Sequence, residues 1–214
     1  MNAKQSDDGW VRVSNSTAKQ SKAPVRKNHR SFSDNNVSKS REEVDMMIDK
    51  VAEQVDFIEK YSPISLFSAL KIFGLGQPSK LDLACRDSRV QLALSASIMQ
   101  RFKLSGAAFD PLFSKHDQIL LQKYSISELK NCADCSDIAS EKTVYFCPHL
   151  PWQFLEKLLS ANLKNLDKII LISNDIRHLA PVTELSMRSY RIPQNSSYPH
   201  AFSDTFMFWW MLSE

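Results

Sequence analysis

Lys168-Ile169-Ile170-Leu171-Ile172-Ser173-Asn174 is the stretch on which the fold turns. Four apolar residues in a row, three of them β-branched, show no polar alternation. That is the pattern of a strand covered on both faces, as in a parallel sheet between helices. Working outward, Pro151 suits the first turn of a helix that carries Trp152, Leu155, Leu158 and Leu159 inward. Before it, Thr143-Val144-Tyr145-Phe146-Cys147 reads as a second strand stopped by Pro148-His149.

The same alternation continues upstream. Ser125–Leu129 reads as a short strand and Cys132–Ser140 as a polar loop, while Ser114 and Asp117 can cap a helix bearing Ile119, Leu120 and Leu121. Ala107-Ala108-Phe109 reads as a buried strand closed by Asp110-Pro111, preceded by a helix from about 87 to 102 with Val90, Leu94, Ile98 and Phe102 on one stripe. Leu70-Lys71-Ile72-Phe73 forms a strand that breaks at Gly74-Leu75-Gly76. The first helix is expected from Ser40, with Glu43 completing a capping box, through Val44, Ile48, Val51, Val55 and Ile58 to Tyr61-Ser62-Pro63. Strand and helix in turn predict an α/β fold: a three-layer, mostly parallel, Rossmann-like sheet with helices on both faces, over residues 42–214.

Composition agrees. Hydrophobic residues make up 43% and charged residues 24% of 214, ordinary for one globular domain, and only 4 glycines argue against a turn-rich all-β sandwich. The net charge of +3 is unevenly placed. Residues 1–41 hold nine basic side chains and three acids, a local +6 that leaves −3 for the rest. The expectation is a disordered basic tail over 1–41, poor in large apolar groups, ahead of a mildly acidic domain. Nucleic-acid contact is therefore expected only through the tail. Within it, Trp10-Val11-Arg12-Val13 is suited to docking on a partner or on the domain itself, and Val25–Arg30 reads as a weak nuclear address. No secretory leader opens the chain, and the longest apolar run, Phe206–Leu212, is too short to cross a bilayer. A soluble protein of the cytoplasm, also nuclear, is expected, with its 4 cysteines as thiols or metal ligands.

In open α/β sheets the ligand crevice lies outside the carboxyl ends of the strands. Four predicted strands end there in groups able to bind or react: Gly74 and Gly76, Asp110, His149, and Ser173 with Asn174. Glycine amides, a carboxylate, an imidazole and an amide along one edge suit a small polar ligand, and no nucleophile or second acid is fixed beside His149. The same residue types also begin turns, with Asp and Asn as backbone caps. Gly74-Leu75-Gly76 opens like a dinucleotide fingerprint, which keeps nucleotides and S-adenosylmethionine in view, but Ser79 stands at the third glycine's place. Cys132 and Cys135 form a C-x-x-C that Cys147 and His149 could complete as four zinc ligands.

Taken together, Phe73-Gly74-Leu75-Gly76, Gln91-Leu92-Ala93, Phe109-Asp110-Pro111, Cys147-Pro148-His149-Leu150-Pro151, Leu158–Asn162, Ile170–Asn174 and Ala201–Thr205 with Phe208-Trp209 resemble the "sensitivity to red light reduced" domain family. The pieces span nearly the whole globular part, and their order and spacing make the combination specific. Asp7-Asp8-Gly9-Trp10-Val11 is similar to the opening often found ahead of this domain. Two departures stand out: Leu150 where the family more often has cysteine, and Asn174-Asp175-Ile176 where it has an Asn-Ser-Phe type sequence. The resemblance implies a regulatory protein with protein partners, no enzymatic reaction being established for the family; the second reading is an uncharacterised enzyme or small-ligand binder using Gly74, Gly76, Asp110, His149 and Asn174. Plant members act in phytochrome-dependent light signalling and circadian clock input, animal members are linked to haem biosynthesis and clock-gene expression, and a fungal member to microtubule-related phenotypes. It also draws attention to Cys147-Pro148, a dipeptide used by haem-regulated proteins, in which the thiolate ligates iron.

Overall fold

The computed structural model describes residues 29–130, 132, 136–179 and 186–211, with the backbone alone for 29–34. Seven strands among them form one sheet: β1 (Ala69–Phe73), β2 (Ser105–Phe109), β3 (Ile126–Glu128), β4 (Thr143–Cys147), β5 (Ile169–Ser173), β6 (Met187–Arg191) and β7 (Phe206–Trp210). Their order is β3-β2-β1-β4-β5-β7-β6. The first five run parallel, whereas β7 pairs antiparallel with both β5 and β6. The expected three-layer, mostly parallel sheet is thus the observed one.

Alternation along each strand divides the core in two. Leu70, Ile72, Val144, Phe146, Ile170, Ile172 and Met207 face α1 (His29–Ile48), α2 (Ala52–Tyr61), α3 (Arg86–Phe102) and α4 (Lys115–Lys123), meeting Val44, Val55, Val90, Leu94, Ile98 and Leu120. Phe73, Tyr145, Cys147, Leu171, Phe208 and Trp210 face the other way, onto Phe154, Leu155, Leu158 and Leu159 of α5 (Trp152–Asn162). The chain builds leftward from β1 through β2 to β3, then returns to lay β4 on β1's other side and builds rightward. The switch between β1 and β4 separates α3 and α4 from α5 and marks where a doubly wound sheet opens a crevice.

One expectation needs correction. Ser40 does not start the first helix, which begins at His29 and so takes in the end of the expected tail. Val37, Ser40, Val44, Met47 and Val51 are all buried at helical spacing, so Ser40 is the polar member of an inward stripe. Its hydroxyl donates to the Ser79 carbonyl at 2.8 Å. Glu43 leaves its expected capping role for an ion pair with Arg89, Oε2 to Nε at 2.7 Å, without hydrogen-bond alignment. Trp10–Val13 and most of Val25–Arg30 lie outside the described residues. The apolar run near the C-terminus also finds its place: Phe206–Trp210 is a strand inside the sheet, flanked by the edge strand β6. Tyr61, Tyr190 and Trp209 stack in series, with centroids 5.1 and 5.2 Å apart, and tie α2 to this antiparallel pair. Among the described residues no helix is long and apolar enough to cross a membrane.

Candidate functional site: the carboxyl edge of the sheet

β1 leaves the sheet through Gly74 and Gly76, both in the left-handed region at φ 75° and 78°. A side chain at Gly76 would lie 2.7 Å from the Ser88 hydroxyl of α3, so close helix packing as well as the turn demands glycine. The Gly76 N–H donates to Asp110 Oδ2 at 2.7 Å, and the Leu112 N–H to Asp110 Oδ1 at 2.8 Å. Both carboxylate oxygens therefore hold backbone. Burial pushes the Asp110 carboxyl above the usual carboxylate range, the two N–H donors pull it down, and nearby Asp117 adds to the rise.

Asp117 extends the same clamp. Its Oδ1 accepts from the Ser79 N–H at 2.9 Å, while Oδ2 accepts from the Ser114 N–H and hydroxyl at 2.8 and 2.6 Å, the capping box expected for α4. Arg89 fixes the next turn by donating to the carbonyls of Lys80 and Asp82. The loop that opens like a nucleotide fingerprint is thus held from beneath by two carboxylates. Ten residues separate Gly76 from the start of α3 at Arg86, so the glycines do not deliver the chain straight into a helix N-terminus.

At the end of β4, His149 turns the chain with φ 60° and an exposed side chain. Its backbone N–H donates to Asn174 Oδ1 at 2.9 Å, and Asn174 Nδ2 donates to the Leu150 carbonyl at 3.1 Å. The buried Ser173 hydroxyl donates to the Asn174 carbonyl. Gly74, Gly76 and Asp110 form one group and His149, Ser173 and Asn174 a second. The two meet at Leu150, 2% exposed, whose Cδ1 lies 3.0 Å from where a Gly74 Cβ would stand. An apolar side chain lies across the switch point. Among the residues exposed in the turns of this edge are His149, Leu112 at 57% and Trp152 at 54%.

Cys147 is wholly buried among Phe73, Tyr145 and Leu150, while His149 two residues on faces solvent. Cys132 Sγ lies 3.5 Å from the Lys130 carbonyl, and Cys135 falls outside the described residues. Among the described residues no group of three or more His, Cys, Asp or Glu is placed to hold a metal. A haem iron would reach Cys147 only if the end of β4 opened.

One polar cluster escaped the sequence reading. Lys71 Nζ and the Tyr145 hydroxyl both contact Asp137 Oδ2 at 2.6 Å, on facing positions of β1 and β4. Asn162 completes the arrangement, donating to the Asp137 carbonyl at 2.7 Å and accepting from the Ala139 N–H at 2.8 Å. Burial first, then the hydrogen bond to Asp137, pushes the Tyr145 hydroxyl far above the ordinary tyrosine range. The phenol stays protonated and donates. The signal was Lys71 itself: a lysine inside a strand covered on both faces needs a counter-ion.

These features define a doubly wound α/β domain with an antiparallel pair added at one edge. The family model of the SRR1 domain matches residues 18–209, and the chain belongs to this family. Searches of curated proteins and of solved structures return no match.

Proposed function

We propose that this chain is a regulatory binding domain acting in a circadian clock-input or related signalling pathway, in the cytoplasm and nucleus, through protein partners. Family membership supports the pathway, and the carboxyl edge supports binding over catalysis. The observation that carries the reading is the engagement of the polar groups there. The Gly76 amide, which an anionic ligand would need, is taken by Asp110, Asn174 holds the 149–150 backbone, and Leu150 fills the space against Gly74. A small-ligand site needs convergent unengaged polar groups in a concave pocket. Exposed His149, Leu112 and Trp152 instead offer the mixed aromatic and polar surface enriched at protein interfaces.

A thermal-shift screen with nucleotides, S-adenosylmethionine and haemin tests it. A ligand at 100 times its Kd adds about 2.7 kcal/mol of stability, a rise of about 5–10 °C for a domain of this size. The reading expects none of these to shift the melt. A rise of that size with any of them reinstates the small-ligand or enzyme alternative. In cells lacking this chain, the parent sequence should restore the period of a rhythmic reporter, and a folded His149→Ala/Trp152→Asp variant should not.

A further inference from the structure

A groove of about 470 Å³ runs between α1, the 81–89 segment and Tyr198. Its walls join two kinds of group. Met46 and Leu83 are 62% and 80% exposed, two large apolar side chains open to solvent side by side with charged groups. Beside them, Lys50 and Arg86 stand over the Tyr198 ring, 5.8 and 4.8 Å from its centroid. Arg89 in the same groove is matched by Glu43, whereas neither Lys50 nor Arg86 forms an ion pair among the described residues. The complement of such a surface is a short segment with an acidic pair next to a large apolar side chain.

The chain supplies one. Within residues 1–28 the only acids are Asp7 and Asp8, and the only aromatic is Trp10, followed by Val11 and Val13. The reach also fits. Eighteen residues lie between Trp10 and His29, and the root-mean-square span of a random coil of nineteen residue steps is about 24 Å. The helix from His29 to the level of Glu43 and Met46 covers about 21–26 Å at about 1.5 Å per residue. A tether whose average span matches the distance gives the highest effective concentration, on the order of millimolar. Weak contacts then suffice.

We propose that residues 7–13 are an intramolecular ligand of this groove, with Asp7 and Asp8 paired to Lys50 and Arg86 and Trp10 seated between Met46 and Leu83. Thioether against indole adds a favourable contact to the apolar burial. The assignment uses none of the carboxyl-edge geometry, so it stands or falls apart from the function proposed above.

Fluorine NMR of the full chain labelled with 5-fluorotryptophan decides it. Four resonances arise from Trp10, Trp152, Trp209 and Trp210, and Trp10→Phe assigns the first. In the parent chain the Trp10 signal should lie away from its position in a free peptide of residues 4–16. Leu83→Glu, Arg86→Glu and the pair Asp7→Lys/Asp8→Lys should each move it toward that position, lowering the ratio of docked to undocked by about fivefold. Combining Asp7→Lys/Asp8→Lys with Lys50→Glu/Arg86→Glu should move it back, because the charges are then exchanged and complementary. Unmoved Trp209 and Trp210 signals certify the fold in each variant. A parent Trp10 signal at the peptide position overturns the proposal. So does a failure of the charge exchange to restore it, or a displacement that grows with protein concentration and so reports a second copy.

Discussion

Replacing Asp117 by alanine should cost the domain about 3–4 kcal/mol. The carboxylate is wholly buried and accepts three hydrogen bonds, from the Ser79 N–H, the Ser114 N–H and the Ser114 hydroxyl. Removing it ends the capping box of α4, worth about 1 kcal/mol, and leaves the N–H of buried Ser79 without a partner, worth about 1–3 kcal/mol. Part of the strength of charged hydrogen bonds is lost as well. For a domain whose whole stability is about 5–15 kcal/mol, this is a large fraction, and the melting temperature should fall by about 10 °C. Urea titration followed by far-ultraviolet circular dichroism reads it, with Asp117→Asn, which keeps one acceptor, losing about half as much. Because the Ser79 carbonyl also receives the Ser40 hydroxyl, amide exchange over residues 37–44 of α1 should quicken in Asp117→Ala more than over α5. A loss below about 1 kcal/mol at unchanged m-value would show that the carboxylate does not hold this loop.

Three further outcomes follow from the same geometry. Gly74→Ala places a Cβ 3.0 Å from Leu150 Cδ1 at φ 75° and should cost about 2 kcal/mol; in a Leu150→Ala background the penalty should shrink by about 1 kcal/mol, and equal penalties in urea melts would refute the contact. Asp137→Ala strands a mostly buried Lys71 ammonium and should cost about 3–5 kcal/mol, while Tyr145→Phe, which keeps the ion pair, should cost about 1 kcal/mol; similar losses for the two would remove Asp137 as the centre of the cluster. For Asp110, burial raises the folded-state carboxyl above its unfolded value. Its contribution is therefore fully present below the unfolded value and is lost as pH rises through the folded one. The stability gap between the parent and Asp110→Asn should accordingly narrow as pH rises from 4 toward 7, and a widening gap would reverse the assigned direction.

Much of the scaffold was legible because local pattern and burial agree. Ile169–Ser173 and Thr143–Cys147 lack alternation and lie buried on both faces. The Ser114–Asp117 box is a contact three residues apart, and it appears as expected. What escaped depends on longer reach. Phe206–Trp210 is apolar enough to be a buried strand or helix, and periodicity does not separate the two in so short a run. Its partner Met187–Arg191 carries two exposed arginines, as an edge strand does, and has little apolar signal of its own. The start of α1 was missed because a serine followed by a glutamate looks like a cap wherever it falls. Only the buried Ser79 carbonyl, 39 residues away, tells Ser40 that it is interior. Lys71 and Asp137 are likewise 66 residues apart, and no spacing rule joins them.

The residues at the carboxyl edge were found by type, and their engagement by partners decides what the edge can do. A strand end in a parallel sheet must turn, and turning leaves backbone amides to be satisfied. Asp110 and Asn174 are good acceptors for those amides for the same reasons that would make them good ligands for a substrate. In this chain the amides took them: Gly76 and Leu112 occupy Asp110, and His149 and the Leu150 carbonyl occupy Asn174. Freeing either for a ligand would break these backbone hydrogen bonds, at about 0.5–1.5 kcal/mol each. Leu150 against Gly74 adds an apolar contact at the one point where the topology would otherwise leave space. An edge so engaged commits its carboxylate and amide groups to the protein's own backbone, which leaves the exposed side chains of the turns, His149 among them, to meet whatever binds there.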